Sequence, residues 1–438
     1  MTEPVLPGPA TQRATAVALD AHDPLSAFRS EFVISDSELC YLDGNSLGRL
    51  PKATLSATRE FLEREWASEL VDGWSHWIDE AQPTGDLVAR AALGAGPGQT
   101  LVCDTTSVNF FQLCLAAIRA NPGRKKIVID SANFPTDRYI LEGIAELLDL
   151  ELITLDTDGS GGPNAIRVQT DNELIPLSAL ENLLDENTAL LTLQAINYRS
   201  GARQDLRGIG EIAKRKGVFV VWDCSHAIGA IQLDFDANGV DLAVGCTYKY
   251  GNSGPGSPAW LFVRSELQAK LQVPIRGWFS QADQFAMGPF FEKAEGIRGF
   301  QIASPSIIGL RAVRSSFEMI ERAGIAEMER KAATGTELML QLADAWLTPL
   351  GFATGTPRAW QQRGGHIILT HPDAKQIAGA LRSKAKVIPD YREPNSIRLA
   401  MSPLANSFQE IWEGFRRLSE LVASGAYRNF ESTKGRVT

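Results

Sequence analysis

The stretch GCTYKYGNSGPGSPAW, Gly245 to Trp260, sets Lys249 at the end of an apolar run, between two tyrosines and ahead of a glycine-rich turn. A lone lysine is usually a solvated surface residue. At the mouth of a buried strand its ammonium must instead be paired, lowered in pKa or used covalently. Three further apolar runs end in groups that complement an amine. VFVVWD closes on Asp223, with His226 three residues on, and a buried carboxylate is costly unless a cation or several donors meet it. TLVCD leads to Thr105, Thr106 and Ser107 at the start of a helical run, where hydroxyls and free backbone N–H groups suit a phosphate. KKIVID is followed by SANFPTD, which carries Phe134 and Asp137. Taken singly, Thr105 reads as an ordinary helix cap and His226 as a core histidine bonded to backbone. Taken in order along one sheet, the four ends describe a planar cationic heteroaromatic ring with an aldehyde and a phosphate, which is pyridoxal 5′-phosphate.

Competing chemistries lack their motifs. GAGPGQ, Gly94 to Gln99, fails the GxGxxG spacing and precedes its strand, and no GxxxxGK[ST] stretch occurs. Five histidines (His22, His76, His226, His366, His371) include no HExxH pair, so no metal is expected. The five cysteines are odd in number and lack CxxC spacing, which suits reduced core residues of a cytoplasmic protein. With 43 Lys and Arg against 52 Asp and Glu, the net charge is −9 and no basic run could track a phosphate backbone. Nucleic acid is therefore not an expected partner. No basic-then-apolar stretch opens the chain, and no apolar run nears the roughly 20 residues that span a bilayer. Neither secretion by that route nor membrane insertion is expected.

The elements that position these groups follow from periodicity. TLVCD, KKIVID, LELITL, ALLTLQAI, VFVVWD, LAVGCTY and AWLFV alternate with amphipathic stretches of helical length. Their continuous apolarity predicts strands buried on both faces, and the alternation predicts an α/β fold with a mainly parallel sheet covered by helices. Ligands bind such sheets at the carboxyl ends of the strands, which is where the polar groups fall. A long helical pattern from Ser306 to Trp346, then HIILTH, a helix, SIRLAMS and a last helix predict a smaller α+β unit. The expected division is an N-terminal arm and helix over 1–48, a large cofactor-binding domain over 49–310 and a small C-terminal domain over 311–438. The polar segment Asp156 to Glu173 reads as an exposed excursion.

Nine motifs give these residues a family likeness: YLDGNSLG (Tyr41 to Gly48), DTTSVN (Asp104 to Asn109), NFPTD (Asn133 to Asp137), NYRSG (Asn197 to Gly201), WDCSHAIG (Trp222 to Gly229), GCTYKYGNSGPG (Gly245 to Gly256), GWF (Gly277 to Phe279), QFAM (Gln284 to Met287) and YREPNSIR (Tyr391 to Arg398). From about Leu19 to the last helix the chain resembles the kynureninases, homodimeric fold-type I enzymes of the aspartate aminotransferase superfamily. The resemblance implies hydrolysis of L-kynurenine or 3-hydroxykynurenine to an anthranilate and L-alanine, in active sites at a subunit interface. It implies that Lys249 is the Schiff-base lysine and proton carrier, that Asp223 pairs with the pyridinium nitrogen, that His226 and Asp137 bracket the ring, and that Phe134 stacks on it. Thr105, Thr106 and Tyr248 would hold the phosphate, with Ser304 nearby and Trp278 reaching across from the other subunit. Arg398 would clamp the substrate α-carboxylate, and Asn45, Ser46, Gln281, Ser304 and His76 would complete the substrate pocket.

Departures from the family pattern gather away from the cofactor and amino-acid positions, and those at Ser280, Gln281 and Ala303 to Ser306 would line the pocket for the substrate side chain. Ser280 and Gln281 stand where Gly-His is usual, Ala303 to Ser306 replace an Asn- or Thr-containing turn, Ala405 replaces a tyrosine, and Gly251 a leucine. A histidine lost beside a reacting carbonyl removes a donor that could stabilise charge there. Two expectations follow: neutral change in a kynureninase, or recruitment to another β-substituted L-amino acid, as a C–S β-lyase or a decarboxylating or deaminating enzyme on an S-cysteinyl conjugate.

Overall fold

The computed structural model describes residues 3–430. The outermost residues of the expected first and last divisions, 1–2 and 431–438, lie outside them. Fourteen strands are present among the described residues: β1 Cys40–Tyr41, β2 Thr100–Val102, β3 Lys126–Asp130, β4 Glu151–Asp156, β5 Ile166–Arg167, β6 Thr188–Gln194, β7 Phe219–Asp223, β8 Leu242–Gly245, β9 Trp260–Val263, β10 Ala353–Thr354, β11 His366–Thr370, β12 Val387–Ile388, β13 Asp390–Arg392 and β14 Ser396–Ala400. Eight form one sheet in the order β2-β9-β8-β7-β6-β3-β4-β5. β9 runs antiparallel to both neighbours, and every other pairing is parallel. β6 and β8 are buried along their whole length, as a strand covered by helices on both faces must be.

Chain order and strand order together place the crevice. After β3 the chain steps outward to β4 and β5, then returns to the other side of β3 for β6, β7 and β8. Neighbouring strands that leave in opposite directions open a gap at their carboxyl ends, where ligands bind open α/β sheets. The segments following β3, β6, β7 and β8 all emerge there. Helix Thr106–Ala120 contacts β6, β7, β8 and β9, and its N-cap Thr105 accepts a hydrogen bond from the Val108 N–H.

A second sheet, β10-β11-β14-β13, is antiparallel, and β1 pairs with β12 beside it. Its apolar face meets helices Ile325–Leu342, Ala374–Lys384 and Phe408–Ala423 in a core that also takes Ala10, Ala16, Cys40 and Leu42 from the N-terminal arm. The helical pattern predicted as one stretch from Ser306 is two helices, Ile307–Ala323 and Ile325–Leu342. Gly324 divides them with φ of 78°, a left-handed conformation that glycine adopts without strain. The Asp156 to Glu173 excursion is largely surface, but β5 inside it extends the large sheet by two exposed residues. Among the described residues no helix is long and apolar enough to cross a membrane, and no cluster of His, Cys, Asp or Glu could hold a metal ion. All five cysteines are buried and free.

Candidate active site

β8 delivers its chain end at Gly245, and four residues later Lys249 Nζ lies 2.8 Å from His226 Nε2 and 5.8 Å from the centroid of the Phe134 ring. Burial lowers the Lys249 pKa because a charged ammonium loses its hydration there. Asp223 opposes that shift, while Arg398 and Arg392 add to it. Cys246, pushed up by its own burial, stays a neutral thiol and brings no charge to the amine. His226 is driven far below the ordinary histidine value, by burial and then by the Lys249 charge. Its Nε2 is in hydrogen-bond contact with the amine, while its Nδ1 is buried without a partner.

The carboxylates divide by environment. Asp223 closes β7 and accepts from the Ser225 N–H at 2.8 Å and from Gln194 Nε2 at 3.3 Å. Asp137, in the first turn of helix Pro135–Leu148, is pushed well above the carboxylate range by burial and then by the Asp223 charge, and its Oδ2 has no partner. Phe134, immediately before that helix, meets Tyr198 edge to face, with centroids 5.4 Å apart and planes at 87°. Tyr248 is tied to the N-terminal turn, its carbonyl accepting from the Gly48 N–H at 2.8 Å.

From the second sheet, β14 contributes Arg398, whose side chain is 1% exposed. Its Nη2 lies 2.5 Å from Asp390 Oδ2 and 2.9 Å from Ser46 Oγ, Nη1 donates to the Tyr198 carbonyl, and Nε is buried without a partner. Asn45 beside Ser46 is buried with neither amide atom bonded.

These contacts bring together Lys249, His226, Phe134, Asp137, Asp223, Arg398 and Ser46. Other predicted positions lie apart within one chain. His76 stacks on Trp77 and bonds to Glu69 and the Gly73 carbonyl. Gln281 accepts from the Glu292 N–H and donates to the Phe290 carbonyl, closing a surface loop. Ser280 is buried on the Gly277 carbonyl, while Ser304 and Trp278 are exposed. The sequence reading gave no role to Gln194, Tyr198, His366, Asp390 or Arg392. Gln194 lies inside the apolar run ALLTLQAI and only the strand end at Gln194 singles it out, while Tyr198, Arg392 and the residue before Tyr391 lie in or beside quoted motifs. His366 is fully buried with its ring 5.3 Å from that of His226, a proximity between β11 and the β7 end that no local pattern announces.

The aminotransferase class-V family pattern matches residues 40–345, and that of the kynureninase C-terminal domain matches 328–418. A kynureninase of Pseudomonas fluorescens is 33% identical over 418 residues, 94% of this chain and 96% of that protein. One from Burkholderia pseudomallei (strain 1106a) is 32% identical over 434 residues, 97% of this chain and 99% of that one. The chain belongs to the kynureninase family. Kynureninase-family membership makes it a pyridoxal-phosphate-dependent enzyme of hydrolase or lyase type. Its fold is shared with an apo cysteine desulfurase from Thermococcus onnurineus NA1, at TM-score 0.75 and 18% identity over 97% of this chain and all of that one. A cystine C-S lyase in complex with cysteine persulfide superposes at TM-score 0.72 and 16% identity over 90% of this chain and 99% of that one.

Proposed function

We propose that this enzyme hydrolyses the Cβ–Cγ bond of a β-substituted L-α-amino acid, nominally L-kynurenine or 3-hydroxykynurenine, to an anthranilate and L-alanine. One observation carries the reading. A lysine amine of lowered pKa stands over the Phe134 ring beside His226, while a fully buried arginine approaches from the second sheet. The residues fit the cofactor: Asp137 Oδ2 and His226 Nδ1 are buried polar atoms still lacking partners, and the first N–H groups of helix Thr106–Ala120 have no carbonyl of their own helix to bond. When bound, pyridoxal phosphate supplies an aldehyde for the amine and a cationic ring that stabilises negative charge at the substrate Cα.

Lys249 would hold the cofactor and carry the Cα proton, a task that a lowered pKa favours. His226 orients the amine through the 2.8 Å contact. Asp223 would hold the ring nitrogen, His226 and Asp137 would bracket the ring, and Phe134 would stack on it. Thr105, Thr106 and Tyr248 would take the phosphate, Thr105 also capping its helix. Arg398, with Ser46 and Asn45, would take the α-carboxylate, for which a guanidinium offers paired donors. Trp278, Ser304, Gln281 and His76 join the pocket where a second copy of the chain brings them to it. The same reading makes 49–310 the cofactor-binding domain, 1–48 an N-terminal arm and 311–438 the small C-terminal domain of a cytoplasmic homodimer, although helix Ile307–Ala323 packs into the core of the large domain.

A second reading has one observation in its favour. Gln281 and Ser280, at the Gly-His positions, bond loop backbone, and a neutral amide and hydroxyl bring to a substrate carbonyl no charge such as a protonated histidine would. Elimination of a thiol from an S-cysteinyl conjugate needs no such donor. Mass spectrometry of products from L-kynurenine, 3-hydroxykynurenine and S-alkyl-cysteines, offered side by side to the holoenzyme, separates the two. Anthranilate and alanine are expected from a kynurenine; thiol release with no anthranilate would replace the first reading by the second.

A further inference from the structure

The Arg398 guanidinium is aimed by a carboxylate from the neighbouring strand. β13 and β14 are antiparallel with Asp390 directly opposite Arg398, so the two side chains rise from one face of the ladder. Asp390 Oδ2 meets Arg398 Nη2 at 2.5 Å and Arg392 Nε at 2.8 Å. Asp390 is wholly buried and Arg398 nearly so, while Arg392 keeps 24% of its side chain exposed. The Arg392 Cζ lies 5.7 Å from the centroid of Tyr198, the residue whose carbonyl accepts from Arg398 Nη1. Asp390 and Ser46 engage Nη2 and Tyr198 engages Nη1, leaving Nε–H and one Nη1–H uncommitted.

Charge arithmetic gives the arrangement a purpose. A buried Arg398–Asp390 pair alone would be neutral and a poor trap for an anion. A second guanidinium on the same carboxylate leaves one positive charge in surplus, and the neighbouring Asp43 carboxylate is met by Arg382 at 3.7 Å, so it does not cancel that charge. We propose that Asp390 is the positioning residue of the carboxylate clamp. It fixes the Arg398 plane so that an uncommitted donor, Nε–H on one edge of the guanidinium or the free Nη1–H on another, receives an α-carboxylate, while Arg392 on the same carboxylate keeps the clamp cationic. Asp390 touches neither substrate nor cofactor in this role, and the inference rests on Arg398 being the clamp.

The test uses the holoenzyme and two small probes, L-alanine and ethylamine, which differ by the carboxylate alone. Binding is read from the cofactor absorbance, and KM and kcat are measured for the substrate turned over. Asp390→Asn keeps the shape and one acceptor oxygen but loses the charge. It should weaken L-alanine about 10- to 100-fold, the range for a hydrogen bond to a charged group, because lost aim outweighs the added positive charge, with ethylamine changed less than about twofold and the rise in KM exceeding any fall in kcat. Arg392→Gln leaves the Arg398 contacts in place but cancels the surplus charge, and should weaken L-alanine several-fold even where Asp390→Asn fails to fold. Either variant, loaded with cofactor, binding L-alanine as the unmodified enzyme does, or losing both probes equally, overturns the proposal. Arg398→Ala separates the levels: loss of L-alanine there alone rejects only the role of Asp390, and its retention there rejects the clamp itself.

Discussion

At Lys249 the amine gives up its proton more readily than a free lysine, and at Asp137 the carboxyl keeps its proton, for the same reason: burial disfavours charge. Asp43, on the turn that carries Asn45 and Ser46, shows the effect where it can be measured. Burial, and then the charge of Asp390, push it from the ordinary 3.8 to about 6. Below about pH 4 the carboxyl is neutral in folded and unfolded chains alike. Between the two values the native state keeps a proton that the unfolded chain releases, so stability falls as pH rises, and above about 6 the loss is complete. Asp43→Asn should therefore leave the melting temperature unchanged near pH 3 and raise it near pH 7.5, by the equivalent of at most about 3 kcal/mol. Thermal melts of both proteins across that range read the effect. A variant that melts lower than the parent near pH 7.5 contradicts it.

The large-sheet elements were legible because a strand buried on both faces must be apolar throughout, so the first polar residue after it marks its carboxyl end. Asp223 and Lys249 were found that way, and the structure puts both on the crevice side. Thr105 caps its helix, the ordinary reading of a threonine at that place, and its role toward a phosphate is a proposal. What stayed hidden depends on pairing between distant segments. Asp390 faces Arg398 through the antiparallel register of β13 and β14, and periodicity within either strand carries no sign of it. The same holds for the turn ending at Gly48, which packs on the Lys249 turn: a Cβ at Gly48 would lie 2.4 Å from the Lys249 carbonyl oxygen. The helix break at Gly324 has no distinct local signal, since Gly309 and Gly335 in the same pattern lie inside their helices and the apolar period continues past all three.

Across the whole molecule two cores are joined at the site. Arg398 leaves the small sheet to bond Ser46 on the N-terminal turn and the Tyr198 carbonyl at the edge of the large sheet. One face carries large apolar side chains in the open: Trp278 is 44% exposed, Phe285 67%, Met287 72% and Phe290 85%. Patches of that kind mark interaction surfaces, and they lie on the loop holding Trp278 and Gln281, which the proposed homodimer brings to a partner's site. Light scattering at micromolar concentration should give the mass of two chains, and a fully active monomer would contradict the shared site. The central claim is that Lys249 is the amine that bonds the cofactor. Borohydride treatment of the holoenzyme, followed by peptide mass mapping, tests it most directly. A phosphopyridoxyl group fixed on Lys249 is the expected result; the group on any other lysine, or on none, would contradict the account.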